Sequence, residues 1–205
     1  RDVWENSIRD YDAVHILAES QRGEMPAGVP VLFLPHGIAK GVFDAANDNP
    51  YGTDRNAVSV GDMLFDPDVV KVLAGANPDW TFHLFGKKSR LDTGFANVVT
   101  HGEVPFATVA AYIRHADVGI APYAPAPGAA YLSQSSPKMI QYTYCRLPIV
   151  APVFAATGRP HVMAYQPGDA PSILAAFDAA RVYDRLSIDA GQAMSWGEMA
   201  ARLFI

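Results

Sequence analysis

From Ala57 onward, the apolar positions fall into short, near-continuous runs separated by stretches with helical spacing. Ala57-Val58-Ser59-Val60, Trp80 through Phe85, Val98-Val99-Thr100, Asp117 through Ala121 and Pro148 through Ala151 read as five strands. Asp66-Pro67-Asp68 opens a helix between the first two. The Asp66 carboxylate caps free N–H groups, proline suits the first helical position, and a second acid meets the positive end. Val69, Val70 and Leu73 share one face of that helix, and Gly75 with Pro78 ends it. Further helices are predicted over residues 105–115, with Val109, Tyr112 and Ile113 at core spacing, and over 137–144, 171–183 and 195–204. Strands without polar alternation are buried on both faces, and their alternation with helices calls for a parallel sheet. The predicted fold is α/β: a Rossmann-like, doubly wound parallel sheet with helices on both faces, spanning residues 55–184.

Upstream, residues 12–17 and 31–34 read as two short strands, the second stopped by Pro35-His36-Gly37. Residues 44–56 are polar, rich in turn formers and aperiodic, which predicts a linker. Residues 1–54 are therefore read as the end of a preceding domain with its linker, and 185–205 as a C-terminal crossover helix. The chain begins with Arg and enters an amphipathic pattern at once, so a piece of a longer polypeptide is expected.

Composition narrows the function classes. Of 205 residues, 50% are hydrophobic and 18% charged, enough apolar content for a packed core rather than disorder. The formal charge of −5, with no basic cluster beyond Lys87-Lys88-Ser89-Arg90, argues against nucleic acid as a partner. That short basic run reads as a solvated loop. Cys145 is the sole cysteine, so no intrachain disulfide can form; it reads as a buried small hydrophobe in a protein of a reducing, cytoplasmic compartment. No apolar run approaches the roughly 18 residues of a membrane span.

Ligands of open α/β sheets bind outside the carboxyl ends of the strands. Three segments leaving such ends carry informative residues: Gly61-Asp62-Met63, His101-Gly102-Glu103 and Tyr123 through Gln141. In the last, Ser135 or Ser136 caps a helix, and Pro137 fits its first turn. Backbone N–H groups at that end carry partial positive charge and suit phosphate. Lys138 adds a full charge, and Gln141 shares its helix face. Glu103 reads either as an acceptor for sugar hydroxyls or as a solvated carboxylate. Tyr123 either lines a pocket or packs under its loop, and Met63 either touches a base or sugar or joins the core. His36, His101 and His115 read as turn residues without partners, and Asp117 as structural. Neither GxGxxG after the first strand, nor GxxxxGK[ST], nor GxSxG is present, which disfavours dinucleotide oxidoreductases, P-loop NTPases and α/β-hydrolases.

In order, LPHGIAKGVFD, the Val-Gly strand end, HGEVPFATVAAYIRHADVGIAPY, SSPKMIQYTYCRLPIVAP and the terminal Ser195-Trp196 helix resemble the C-terminal half of a GT-B glycosyltransferase. Within that fold the chain resembles the xanthan-type, GumK-like glucuronosyltransferases. The resemblance implies a donor site built from Met63, Glu103, Tyr123, Ser136, Lys138 and Gln141. It implies a UDP-sugar donor, UDP-glucuronate in that family, transferred with inversion to a saccharide or lipid-linked acceptor. It also implies that no metal or other cofactor takes part, and that the enzyme sits peripherally on the inner membrane through a preceding domain that carries the general base. Pro137 stands where such enzymes have a methionine, and Gln141 occupies a stretch where many retaining relatives carry a glutamate pair. A UDP-sugar epimerase on a similar sheet, or a non-enzymatic anion-binding module, would share many of these features.

Overall fold

The computed structural model describes residues 6–92, 94–156 and 158–203. Two short parallel strands, β1 (Val14–Ile16) and β2 (Val31–Phe33), pair near the start of the chain. Helix α1 (Lys40–Asp44) follows and lays Phe43 into the core. Next comes a six-stranded sheet, wholly parallel: β3 (Asn56–Val60), β4 (Thr81–Phe85), β5 (Val98–Gly102), β6 (Val118–Ile120), β7 (Ile149–Pro152) and β8 (Val162–Tyr165). Their spatial order is β5-β4-β3-β6-β7-β8, so the strand order reverses between β3 and β6. The helices are α2 (Pro67–Ala76), α3 (Phe106–His115), α4 (Leu132–Ser135), α5 (Pro137–Tyr144), α6 (Ala170–Ala180) and α7 (Trp196–Leu203).

The two faces of the sheet carry separate cores. Ala57, Phe82, Val118, Ile120 and Val150 point to one face, where Val69 and Leu73 of α2 and Ile173 and Phe177 of α6 cover them. Val58, Phe85, Ile149 and Ala151 point to the other, under Val109 and Ile113 of α3 and Met139 and Tyr142 of α5. Neighbouring residues of one strand thus enter opposite cores, which is why the strand sequences lack polar alternation. The doubly wound parallel architecture is as the sequence predicts. Among the described residues, no helix is long and apolar enough to cross a membrane.

Three features depart from the sequence reading. The sheet has six strands, not five: β8 pairs with β7 from Ile149↔Val162 to Pro152↔Tyr165. Among the described residues between them, the one helical element is a 3-10 turn, Val153–Ala155, so the expected strand–helix alternation breaks there. The region read as a polar linker begins inside a helix, α1, and includes Tyr51, whose hydroxyl donates to the Tyr112 carbonyl at 2.7 Å. Burial among Tyr112, Tyr142 and His83 drives the Tyr51 phenol well above its ordinary pKa. The terminal helix runs over Trp196–Leu203, and Phe204, its predicted last residue, lies outside the described residues.

Candidate donor site

Two loops define the rim of the strand ends. After β3 the chain turns through Gly61, at φ +85°, a left-handed conformation that glycine adopts without strain. It then pairs with the segment after β6: Asp66 N–H donates to the Pro122 carbonyl at 2.7 Å, and Ala124 N–H to the Leu64 carbonyl at 2.7 Å. Met63 is half exposed on this rim, its sulfur 3.5 Å from the Tyr131 hydroxyl. Asp62 ties the rim to the loop after β4. Its Oδ1 accepts from the Lys88 and Ser89 N–H groups and the Ser89 hydroxyl, and its Oδ2 from the Lys87 N–H, at 2.9–3.0 Å. These donors hold the carboxyl below its usual pKa, against the opposing effect of burial. Gly86 is required here because a Cβ would collide with the Asp62 carboxylate. Lys87-Lys88-Ser89-Arg90 is therefore not simply a solvated run: its backbone wraps a carboxylate, and Ser89 is fully buried.

Helix α5 is pressed onto this rim by Tyr142. Its phenol accepts from the Val60 N–H at 3.1 Å and lies 3.2 Å from the Val58 carbonyl, bridging the helix to β3. A Cβ on Gly119 would come within 2.5 Å of the Tyr142 ring, so only glycine in β6 lets the ring pass. The first turn of α5 then meets the strand ends. Ser136 is the N-cap, its hydroxyl accepting from the Met139 N–H at 3.3 Å. The Ser136 N–H donates to the Leu132 carbonyl at 3.2 Å, and Pro137 has no N–H. Among the described residues, the backbone donor of that turn left without a partner is the Lys138 N–H. The helix end is a narrower anion cradle than its sequence promises.

Tyr123 and Lys138 complete the arrangement. Tyr123 is 1% exposed, its hydroxyl 2.6 Å from the Ser136 hydroxyl, and burial pushes the phenol up to about 12. It packs beneath the site, and its hydroxyl is taken by Ser136. The Lys138 ammonium sits 4.6 Å from the centroid of that ring, a cation–π contact. The side chain is 8% exposed, and its Nζ meets no hydrogen-bond partner among the described residues. Burial pushes this lysine down to about 7, opposed by the field of Asp62, whose oxygens are already committed to the β4 loop. A buried ammonium without an acceptor is unfavourable unless an anion arrives.

The structure thus brings Met63, Tyr123, Ser136 and Lys138 onto one rim. Gln141 is half-buried, three residues beyond Lys138 on α5. Glu103 is exposed just past the end of β5, two strands from β3. Asp62 lies in a segment the sequence singled out, but its role was not legible there, because its partners come from another loop. His101 is not an unpartnered turn residue. It lies in β5, stacked on Phe85 at 4.3 Å between ring centroids, with Nε2 3.0 Å from His83 Nδ1. His115 closes α3 and contacts the Ala46 carbonyl at 3.1 Å. Asp117 is structural as read, accepting from the Asn56 N–H at 2.8 Å, and Cys145 is buried.

No family model matches the chain. Solved structures with this arrangement include the UDP-forming trehalose-phosphate synthase of Burkholderia xenovorans, with a TM-score of 0.59 and 14% identity over 98% of this chain and 59% of that one. An E. coli trehalose-6-phosphate structure bound with UDP-2-fluoro glucose aligns with a TM-score of 0.60 and 13% identity, over 91% of this chain and 56% of the other. At such identities the likeness is one of fold, that of a GT-B C-terminal half. The sequence adds a second likeness. Over 193 residues, 94% of the chain, it is 32% identical to the UDP-glucuronate:glycolipid 2-beta-glucuronosyltransferase of Xanthomonas campestris pv. campestris. The chain has the fold of a GT-B C-terminal half, is similar in sequence to this glucuronosyltransferase, and spans 48% of that relative's length.

Proposed function

We propose that this chain is the donor-binding half of a glycosyltransferase that takes a UDP-sugar, UDP-glucuronate above others, and passes the sugar to a saccharide or lipid-linked acceptor with inversion. The observation that carries the reading is Lys138: a buried ammonium at a helix N-terminus, over the strand ends, with no acceptor among the described residues. A nucleoside diphosphate supplies the missing acceptors. As the acceptor oxygen bonds to the anomeric carbon, the bond from that carbon to the diphosphate breaks, and charge grows on the leaving phosphate. The Lys138 ammonium and N–H stabilise this charge more than they stabilise the intact donor, which is the condition for lowering the barrier. Met63 and Gln141 line the nucleotide, Glu103 accepts from ribose hydroxyls, and Tyr123 with Ser136 supports the lysine from below. The proton lost by the acceptor goes to a general base that this reading expects outside these 205 residues.

Calorimetric titration with UDP tests this. Wild type is expected to bind UDP, and Lys138→Ala to bind it at least tenfold more weakly, since about 1.5–3 kcal/mol attends a hydrogen bond to a charged group. Equal affinity in the two proteins would remove Lys138 from the phosphate role.

A further inference from the structure

Beside α5 runs a groove of about 300 Å³ that the donor reading does not use, lined among others by His36, Ser133, Gln134, Ile140, Thr143 and Arg159. Its cation is Arg159, in the segment between β7 and β8. One guanidinium nitrogen donates to the Ser133 carbonyl at 2.5 Å and approaches the Met139 sulfur at 3.9 Å, both uncharged partners. The Nε is buried and has no hydrogen-bond partner among the described residues, and none of their ion pairs involves Arg159. A partly buried guanidinium without a carboxylate is, like the Lys138 ammonium, a charge whose desolvation is not fully compensated.

The two cations belong to one neighbourhood. Lys138 lies over the Tyr123 ring, and Arg159 feels the field of the same phenol while touching the turn that leads into α5. One diphosphate satisfies Lys138 and leaves Arg159 unpaired. A ligand that satisfies both carries a second anionic group beyond the phosphates. We propose that the groove seats the carboxylate of an acidic sugar, and that Arg159 is the residue selecting a uronosyl donor over its neutral counterpart. The planar guanidinium fork matches a carboxylate with two parallel hydrogen bonds, whereas a neutral hydroxymethyl group leaves it uncompensated. The volume, at the small end of ligand pockets, suits a single monosaccharide unit.

This inference rests on the UDP-sugar reading, and its test separates the two. UDP, UDP-glucose and UDP-glucuronate are titrated into wild type, Arg159→Gln and Arg159→Lys. Wild type is expected to prefer UDP-glucuronate over UDP-glucose by roughly tenfold to a hundredfold, the worth of a charge-assisted pair. In Arg159→Gln that ratio should fall to about one while affinity for UDP itself stays within about twofold. Arg159→Lys keeps the charge and a donor for the Ser133 carbonyl but loses the fork, so an intermediate ratio is expected. It carries the test alone if Arg159→Gln proves unfolded in a thermal melt. A ratio unchanged by both substitutions, or absent from wild type, overturns the assignment and leaves UDP binding standing. Failure of wild type to bind UDP overturns both.

Discussion

Burying the Lys138 ammonium should make the stability of the ligand-free protein depend on pH in a way that one substitution abolishes. Burial lowers this lysine from 10.5 to about 7, a depression equivalent to on the order of 5 kcal/mol between the charged and neutral forms. Below about pH 7 the lysine is charged in folded and unfolded chains alike, and the folded state bears the whole desolvation penalty. Between about 7 and 10.5 the unfolded chain still holds the proton that the folded chain has released, so stability rises with pH across that window. Other groups titrate there too: the buried Cys145 thiol, raised to about 12, acts in the opposite direction. The clean quantity is therefore the difference between wild type and Lys138→Met, measured by urea unfolding at pH 7 and pH 9.5. Wild type should gain several kcal/mol relative to the variant over that interval, about 1.4 kcal/mol for each pH unit inside the window. Saturating UDP should shrink the gain, because a bound diphosphate favours the charged lysine. Parallel pH profiles for the two proteins would refute the claim that the ammonium is buried uncompensated.

Four further outcomes follow from the same geometry. Asp62→Ala removes the acceptor of three N–H groups and a hydroxyl; it should cost about 2–3 kcal/mol in urea unfolding and weaken UDP binding as the β3 and β4 loops part. Gly119→Ala drives a methyl into the Tyr142 ring and should cost about 1–3 kcal/mol, read as a drop in thermal midpoint. Tyr142→Phe relieves nothing in wild type and strands the Val60 N–H, a loss of about 1–3 kcal/mol by urea unfolding. Burial beside His101 pushes His83 down to about 4, so the unfolded chain takes up a proton near 6.5 that the folded chain refuses. Stability should be full above about 6.5 and fall as pH drops toward 4, and His83→Gln should flatten that slope in acid-unfolding curves.

Lys138 was legible before any coordinates because Ser-Ser-Pro-Lys after a Pro-rich loop is a local pattern: cap, proline and charge lie within four consecutive residues. The doubly wound sheet was legible for a similar reason, since burial of a strand on both faces is written in its own continuous apolar run. β8 was not. Its four residues carry no helix before them, and only pairing to β7 makes them a strand. Arg159, Asp62 and the His83–His101 pair were silent for one common reason. Each owes its meaning to a partner 18 or more residues distant, brought near by the fold.

The sequence by itself determined the class of the sheet and the helix whose first turn carries a cation. Those depend on periodicity, capping and turn chemistry, which act within a few residues. Tertiary structure alone decided that the Lys138 ammonium is buried with no acceptor among the described residues, that Tyr123 lies beneath it with its hydroxyl spent on Ser136, and that Arg159 stands in a neighbouring groove without an ion pair among those residues. Burial and hydrogen-bond satisfaction are sums over neighbours contributed by separate strands and loops, and no local stretch of sequence contains them.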